Sequence, residues 1–264
     1  MHKGVQAKLA FQHREIRLMD KPQRVYELLL DHATSDSLVE AVNIGLVWTV
    51  CKARQYGLAM SPQLATRTLP WSGSLVGKPL RELCGWINEW DAYQATIGMA
   101  AINAAINEES LPDGVMLPAG NLAVFEHFLP QLIGKKVVVI GRYPHIERYA
   151  EQIDLQIIER QPSANDYPDS ACEFLLPKTD WVFLTATSLI NKTFPRLAEL
   201  SQHATTVLMG PTTPWLPQLA DFGIDYLAGV EITDAEKLQQ TIAEGGGVRI
   251  FETGVRYRVV DLTR

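Results

Sequence analysis

The spacing of apolar residues changes period several times along the chain, and each change predicts a different element. The run PQRVYELLLDHA, from about residue 20, places Val25, Leu28 and Leu29 on one face of an amphipathic helix. In EAVNIGLVWTVCKA, Ile44, Leu46, Trp48 and Val50 alternate with smaller or polar neighbours, which is strand periodicity. A second extended piece surrounds YGLAMSPQL, followed by LPWSGSLVGKPLREL, broken by Pro70, Gly73, Gly77 and Pro79. Asp91 to Asn107, DAYQATIGMAAINAAIN, is small and apolar around its whole circumference, so it predicts a helix buried on most sides. Gly98 and its alanines let other backbones approach that helix closely.

After NEESLPDGVMLPAGN, with two prolines and two glycines, the rhythm changes. KKVVVIG, DLQIIER, DWVFLTA, TTVLMG and IDYLAG predict strands. PHIERYAEQI, FPRLAELSQ and WLPQLADF predict helices between them, and VRIFETGVRYRVVDLTR one or two terminal strands. Short apolar strands alternating with helices predict a parallel sheet covered on both faces. The expected fold class is α/β: an α+β unit over residues 1–115 and a Rossmann-like unit with a mainly parallel sheet over 116–264.

Composition removes some functions. The chain has 264 residues, 47% of them hydrophobic, and 24 basic against 30 acidic residues give a net charge of −6 without charged blocks. That argues against nucleic acid or an anionic membrane as the main partner. The N-terminal stretch MHKGVQAKLAFQHREIRLMD has no continuous apolar core, and no run reaches the roughly 20 apolar residues of a membrane span. The expected location is cytoplasmic. Cys51, Cys84 and Cys172 are too scattered for disulfides or a thiolate zinc site and read as buried thiols. GxSxG, HExxH, a Walker lysine loop and closely spaced histidine or cysteine pairs are all absent from the sequence.

Candidate chemistry therefore gathers at the strand exits, where parallel sheets bind ligands. They are GRYPHIE, TATSLINKT and GPTTPWLP. In the second, Thr185, Thr187, Ser188, Asn191 and Thr193 offer more hydrogen-bonding groups than one helix cap needs, so the stretch reads as cap and ligand cradle together. Gly210, Pro211, Thr212 and Thr213 form a similar loop, with a rigid connection as the alternative. Arg142 suits an anion clamp or an exposed cap. Gly141 lacks the further glycines of GxGxxG, although Glu159 could meet a ribose hydroxyl. His145 with Glu147, His127 with Glu126, and Cys172 with Glu173 are weak metal or catalytic signals.

VVVIGRYP, LLPKTDWVFLTATSLINKTFPRL, VLMGPTTPWLPQLADFGIDYLAG, GSLVGKPLREL and ATIGMAAINAAIN, in their order, resemble a bacterial and archaeal heavy-metal-chelation domain family. The resemblance implies an enolase-like N-terminal domain, a Rossmann-like C-terminal domain and a site in the cleft between them. The family pattern TGTTLVNxT falls on Thr185–Asn191 and Thr193, GPST on Gly210–Thr213, and GxAAINA on Gly98–Ala104, with Asn103 as its polar member. Ala186 stands where glycine is common and Thr212 where serine is common. Ser72, Gly73, Ser74 and Gly77 would supply a wall of the cleft.

The expected function is binding of a small polar or anionic, potentially metal-chelating, ligand in that cleft. The cofactor is open, with a divalent metal ion as one candidate, and so is catalysis. Two alternatives remain: a nucleotide-cofactor transferase or oxidoreductase using Gly141 and Glu159, and a non-catalytic metal-binding or delivery protein. Expected partners are a small molecule or metal chelate, without nucleic acid or membrane; a homodimer through Trp86 or Trp90 stays open.

Overall fold

The computed structural model describes residues 21–263. The N-terminal stretch read for a signal peptide therefore lies outside the described residues. Helix α1 (Arg24–His32) buries Val25, Tyr26 and Leu29. Strands β1 (Ala41–Ile44), β2 (Trp48–Lys52) and β3 (Tyr56–Met60) form an antiparallel sheet in the order β1-β2-β3. The single strand expected across residues 44–50 is a hairpin: Leu46 lies in the turn and is 77% exposed. Gly45 bonds to the Trp48 carbonyl at that turn, so the apparent alternation runs around a corner.

Helix α2 (Leu80–Cys84) and a 3-10 turn (Gly85–Asn88) lead to α3 (Ala92–Ile106). Asp91 caps α3 by accepting from the Gln94 amide at 2.9 Å. From Ala95 to Ile106 every residue of α3 is buried, as its apolar circumference predicts. The helix can pack so closely because Gly98 faces the backbone of Ile87 and Gly57 faces that of Ala100 and Ala104.

Strand β4 (Val115–Met116) spans the expected division at 115/116 and pairs with the last strand of the large sheet. Helix α4 (Ala123–Leu132) precedes β5 (Lys136–Ile140), β6 (Asp154–Glu159) and β7 (Tyr167–Pro168). One-turn helix α5 (Cys172–Leu175) precedes β8 (Trp181–Thr185), and α6 (Thr187–Ile190) and α7 (Phe194–Leu200) follow it. Then come β9 (Thr205–Met209), β10 (Tyr226–Ile232), α8 (Ala235–Ala243), α9 (Ile250–Thr253) and β11 (Val255–Asp261). The sheet order is β4-β11-β10-β9-β8-β5-β6-β7, with β10 through β7 parallel and β11 antiparallel to both neighbours. Numbered from β5, the six parallel strands run 3-2-1-4-5-6, the order of a doubly wound sheet whose switch point lies between β5 and β8.

Two expected helices are shorter and tighter. Residues 146–149 and 217–222 form 3-10 turns, and Pro217 opens the second where its ring cannot donate a backbone bond. Along the strands burial has period two. Val138, Ile140, Val182, Leu184 and Leu208 join one core with α1, α2 and α3. Val137, Val139, Trp181, Phe183 and Val207 join the other with α4 and α9. Both cores contain residues from the N-terminal sheet or helices and from the large sheet, so the two units share their packing.

Candidate functional site

The crevice at the switch point is filled from within. Tyr143, two residues beyond Gly141, packs edge-on against Phe125 with ring centroids 5.4 Å apart. Its hydroxyl bonds Thr185 at the end of β8 and lies 3.4 Å from where a Cβ on Gly210 would stand. A single phenol thus crosses the exits of β5, β8 and β9. Burial raises its pKa, only partly opposed by the Thr185 bond. Tyr257, on β11, is likewise raised, by burial and then by Tyr143, and its buried hydroxyl has no protein partner. Gly210 has φ +108 and Gly141 φ +91, conformations that keep both chain exits on glycine. The side chain of Thr185 stands 3.2 Å from a Cβ built on Gly141, which closes that turn further to a phosphate, as the missing glycines of GxGxxG already implied.

The polar groups behind β8 divide into three sets. Thr185 Oγ1 donates to Thr187 Oγ1 at 3.2 Å, and Thr187 Oγ1 donates to Met60 Sδ at 3.6 Å. Ser188 is buried with a partnerless Oγ. Asn191 Oδ1 accepts from the Thr193 amide at 3.1 Å and its hydroxyl at 2.6 Å, a turn that precedes α7. The helix cap expected from this stretch is not formed on α7: the capping position is Thr193, without a side-chain cap bond.

The loop after β9 carries the chain from the switch point to the N-terminal unit. Residues 210–216 are all buried. Thr212 Oγ1 accepts from the Met60 amide at 3.0 Å, and Thr212 O accepts from Asn103 Nδ2 at 3.0 Å. Asn103 Nδ2 also donates to Leu58 O at 2.8 Å. Asn103 Oδ1 and Thr213 Oγ1 are left buried without partners. Together with Pro211 and Trp215 they line a cavity of about 10 Å³. It shares Asn107, Trp215, Val230 and Ile232 with an open groove of about 510 Å³.

Gln55 and Tyr56, before and at the start of β3, and Asn107, after α3, form one wall of the groove; Trp215 and the end of β10 form the other. Gly229 makes room for Trp215, since any Cβ there would meet the indole at 2.9 Å. Asn107 Nδ2 donates to Tyr56 O at 2.8 Å and Gln239 Nε2 to Tyr56 Oη at 3.1 Å, fixing the Tyr56 wall. Sequence reasoning missed Tyr143, Tyr56 and Trp215. The signal for Tyr143 and Trp215 was their place in the strand exits GRYP and GPTTPW; Tyr56 begins a strand and gave none.

Several expected site residues serve the fold. The guanidinium of Arg142 bonds Asp166 Oδ1 at 2.5 Å, Ser163 Oγ at 3.3 Å and Glu147 Oε2 at 3.5 Å, so its anion clamp is filled by the protein's own carboxylates. Glu159 accepts from the amides of Arg142 at 2.9 Å and Arg160 at 2.7 Å, which occupies the acid that a ribose hydroxyl would need. Gly73 lies in an exposed turn with nothing within 4 Å of a Cβ position. Its neighbours Ser72 and Ser74 donate to Leu69 O and Trp71 O in that same turn. These bonds give Ser72 and Ser74 a turn-stabilising role instead of the expected cleft wall.

The donors among the described residues do not fit a resident metal. Among the described residues no three or more His, Cys, Asp or Glu side chains are grouped to hold one. All three cysteines are buried; burial pushes Cys51 and Cys84 up to about 12 and Cys172 to about 11, which keeps them protonated at neutral pH.

Lys192, inside the polar stretch, was also missed. It has φ +67, donates through Nζ to Ile87 O, and lies over the Tyr26 ring at 4.9 Å. Tyr26 in turn donates to Leu189 O at 3.1 Å, so this lysine and tyrosine tie the loop after β8 to the N-terminal helices. Burial, partly opposed by Glu89, lowers the ammonium to about 8. An unfolded lysine titrates near about 10.4, so above about pH 8 the unfolded chain holds the extra proton and this group makes stability rise with pH. Lys192→Met should lack that rise. Urea denaturation of both chains between about pH 8 and 9.5 should show the wild type gaining on the variant, whereas parallel profiles would exclude the assignment.

Residues 123–261 and 26–106 match two family models, both described as "Putative heavy-metal chelation". A protein of unknown function from the DUF364 family of Desulfitobacterium hafniense superposes with a TM-score of 0.80 and 31% identity, covering 90% of this chain and 98% of that one. One from the same family in Pyrococcus horikoshii gives 0.71 and 22%, covering 91% and 99%, a likeness of fold alone. An uncharacterized protein of Methanocaldococcus jannaschii is 28% identical over 169 residues, 61% of this chain and 64% of its own length. Among the described residues no helix is long and apolar enough to cross a membrane.

Proposed function

The chain belongs to the family described as "Putative heavy-metal chelation", and from that premise we propose that it binds a small polar molecule in the groove between Tyr56 and Trp215. Any metal would be carried into the groove by that molecule as a chelate. The observation supporting this reading is the groove itself: about 510 Å³, walled by residues from both halves of the chain. Beneath it lie the partnerless Asn103 Oδ1 and Thr213 Oγ1. Buried polar atoms are normally paired, and two unpaired ones under an open groove favour a ligand or ordered water there. The same reading accounts for a family named for chelation in a chain whose described donors are scattered and whose thiols are protonated. Two aromatic residues, Tyr56 and Trp215, stand in the groove beside the polar Gln55, Asn107 and Thr233, a mixed lining that suits a polar ligand.

The test is equilibrium dialysis of the purified chain against Ni²⁺ and Zn²⁺ as free ions and as histidine or citrate complexes, with metal analysis and thermal shift. The expected result is retention of a chelate, or of the organic ligand alone, with a raised Tm. A ligand at a hundred times its Kd stabilises the native state by about 2.7 kcal/mol. Stoichiometric uptake of free metal with submicromolar affinity would sink the proposal and favour a metal carrier.

A further inference from the structure

We infer that the floor of this groove is a socket for a hydrogen-bond donor, so that the ligand enters with an amine, amide or hydroxyl and not with a carboxylate or phosphate. The inference rests on the groove being the binding site and narrows the class of molecule it takes. Asn103 is 4% exposed, and both protons of its Nδ2 are used, on Leu58 O and Thr212 O. Because both of those neighbours are carbonyl oxygens, the amide cannot be turned around: reversed, its own oxygen would face two acceptors. Oδ1 is therefore the end left over, and an amide oxygen can only accept. Thr213, also 4% exposed, has a partnerless Oγ1 on the same cavity.

The cavity, about 10 Å³, has room for one water-sized group. A carboxylate or phosphate oxygen there would set lone pair against lone pair at Asn103. An ammonium, amide N–H or hydroxyl would meet Oδ1 with a proton and can bond the Thr213 hydroxyl as well. The surroundings agree in charge. No Lys or Arg is among the described residues lining cavity or groove, and their one ionisable carboxylate, Glu231, is bonded by Arg258 at 2.7 and 3.0 Å. The lining itself offers an anion no cation, and Lys52, 5.5 Å over the Tyr56 ring, is held by Glu40 at 2.8 Å.

The experiment uses the full chain, isotope-labelled, and follows the Asn103 side-chain amide and the Thr213 methyl by NMR. The probes are acetamide, methylammonium, acetate and inorganic phosphate. Acetamide and methylammonium should shift both signals, and acetate and phosphate neither. Thr213→Val should weaken the donors by about five-fold or more, the size of one hydrogen bond, while Thr213→Ser keeps wild-type binding. Comparison among probes on the wild type stands even if Thr213→Val folds poorly. Shifts with acetate or phosphate alone overturn the donor socket and leave the groove as the site. So do donors that move only Tyr56 and Trp215, or a water on Asn103 and Thr213 that no probe displaces. Silence at both floor and walls for all probes and for the dialysed chelates removes the groove reading as well.

Discussion

Gly57→Ala should cost the fold more than about 4 kcal/mol, a loss reserved for clashes and cavities that the core cannot relax. Gly57 sits in β3, where it pairs with Cys51 of β2. A Cβ on it would stand 2.1 Å from Ala100 O and 2.2 Å from Ala104 N, both backbone atoms of α3. No rotamer change removes such a contact. Either the helix lifts off the sheet or the strand buckles, and a lifted helix also withdraws Asn103 from Leu58 O, one residue along β3. Gly73→Ala is the matched control: it carries φ +77 with nothing nearby, so its cost is the left-handed penalty of about 1–2 kcal/mol. Urea denaturation of the two variants should separate them clearly, with Gly57→Ala poorly soluble or unfolded without denaturant. A loss under about 1.5 kcal/mol would mean that α3 and β3 can slide apart, as tolerant cores do.

That contact also marks what was readable in the sequence. The buried helix was visible because DAYQATIGMAAINAAIN has no polar face, and its small residues implied close approach. Gly57 gave no such signal, because its contact lies across tertiary structure. The parallel strands were readable for a related reason: buried on both faces, they show as short uninterrupted apolar runs such as VVVI and WVFL. The β1–β2 hairpin was not, since Leu46 continues the alternation into a turn that exposes it. Local period cannot distinguish a strand that goes straight on from one that folds back.

The site shows the same division. Strand exits follow from topology, so Thr185, Thr187 and the 210–213 loop could be placed on one edge of the sheet in advance. Whether a polar side chain there is free depends on partners far along the chain. Arg142 resembled an anion clamp until Asp166, 24 residues on, took its guanidinium. Asn191 is committed only in part: its oxygen accepts from Thr193, two residues on, while the group that would donate to a ligand is its amide nitrogen. Tyr56 and Trp215 lie 159 residues apart in number and face one groove only because α3 and β10 bring their neighbours together. Hydrogen-bond satisfaction is a property of the fold, and it sorted the candidates that residue type alone could not.

Asn103→Asp should be the second severe variant, and its severity should depend on pH. The substitution keeps shape but replaces Nδ2, the donor at 2.8 Å from Leu58 O and 3.0 Å from Thr212 O, by an oxygen. Ionised, the new side chain is an unpaired charge facing two carbonyl oxygens in a site 4% exposed. Burial and those dipoles both favour the neutral acid, which raises its folded pKa, by as much as 3–5 units for groups fully out of water. Protonated, it has a single O–H and can serve one carbonyl, leaving the other unmet at about 1–3 kcal/mol. With its pKa raised on folding, the native state holds the proton over a range where the unfolded chain, near about 3.9, has lost it. Variant stability therefore falls as pH rises above about 4, by about 1.4 kcal/mol per unit, until the folded pKa is passed. Stability differences from wild type, measured in urea at several pH values from acid to neutral, should widen steadily in that direction. A constant difference would mean that water reaches residue 103, and with water there the carbonyls of Leu58 and Thr212 would no longer be what fixes the amide's orientation.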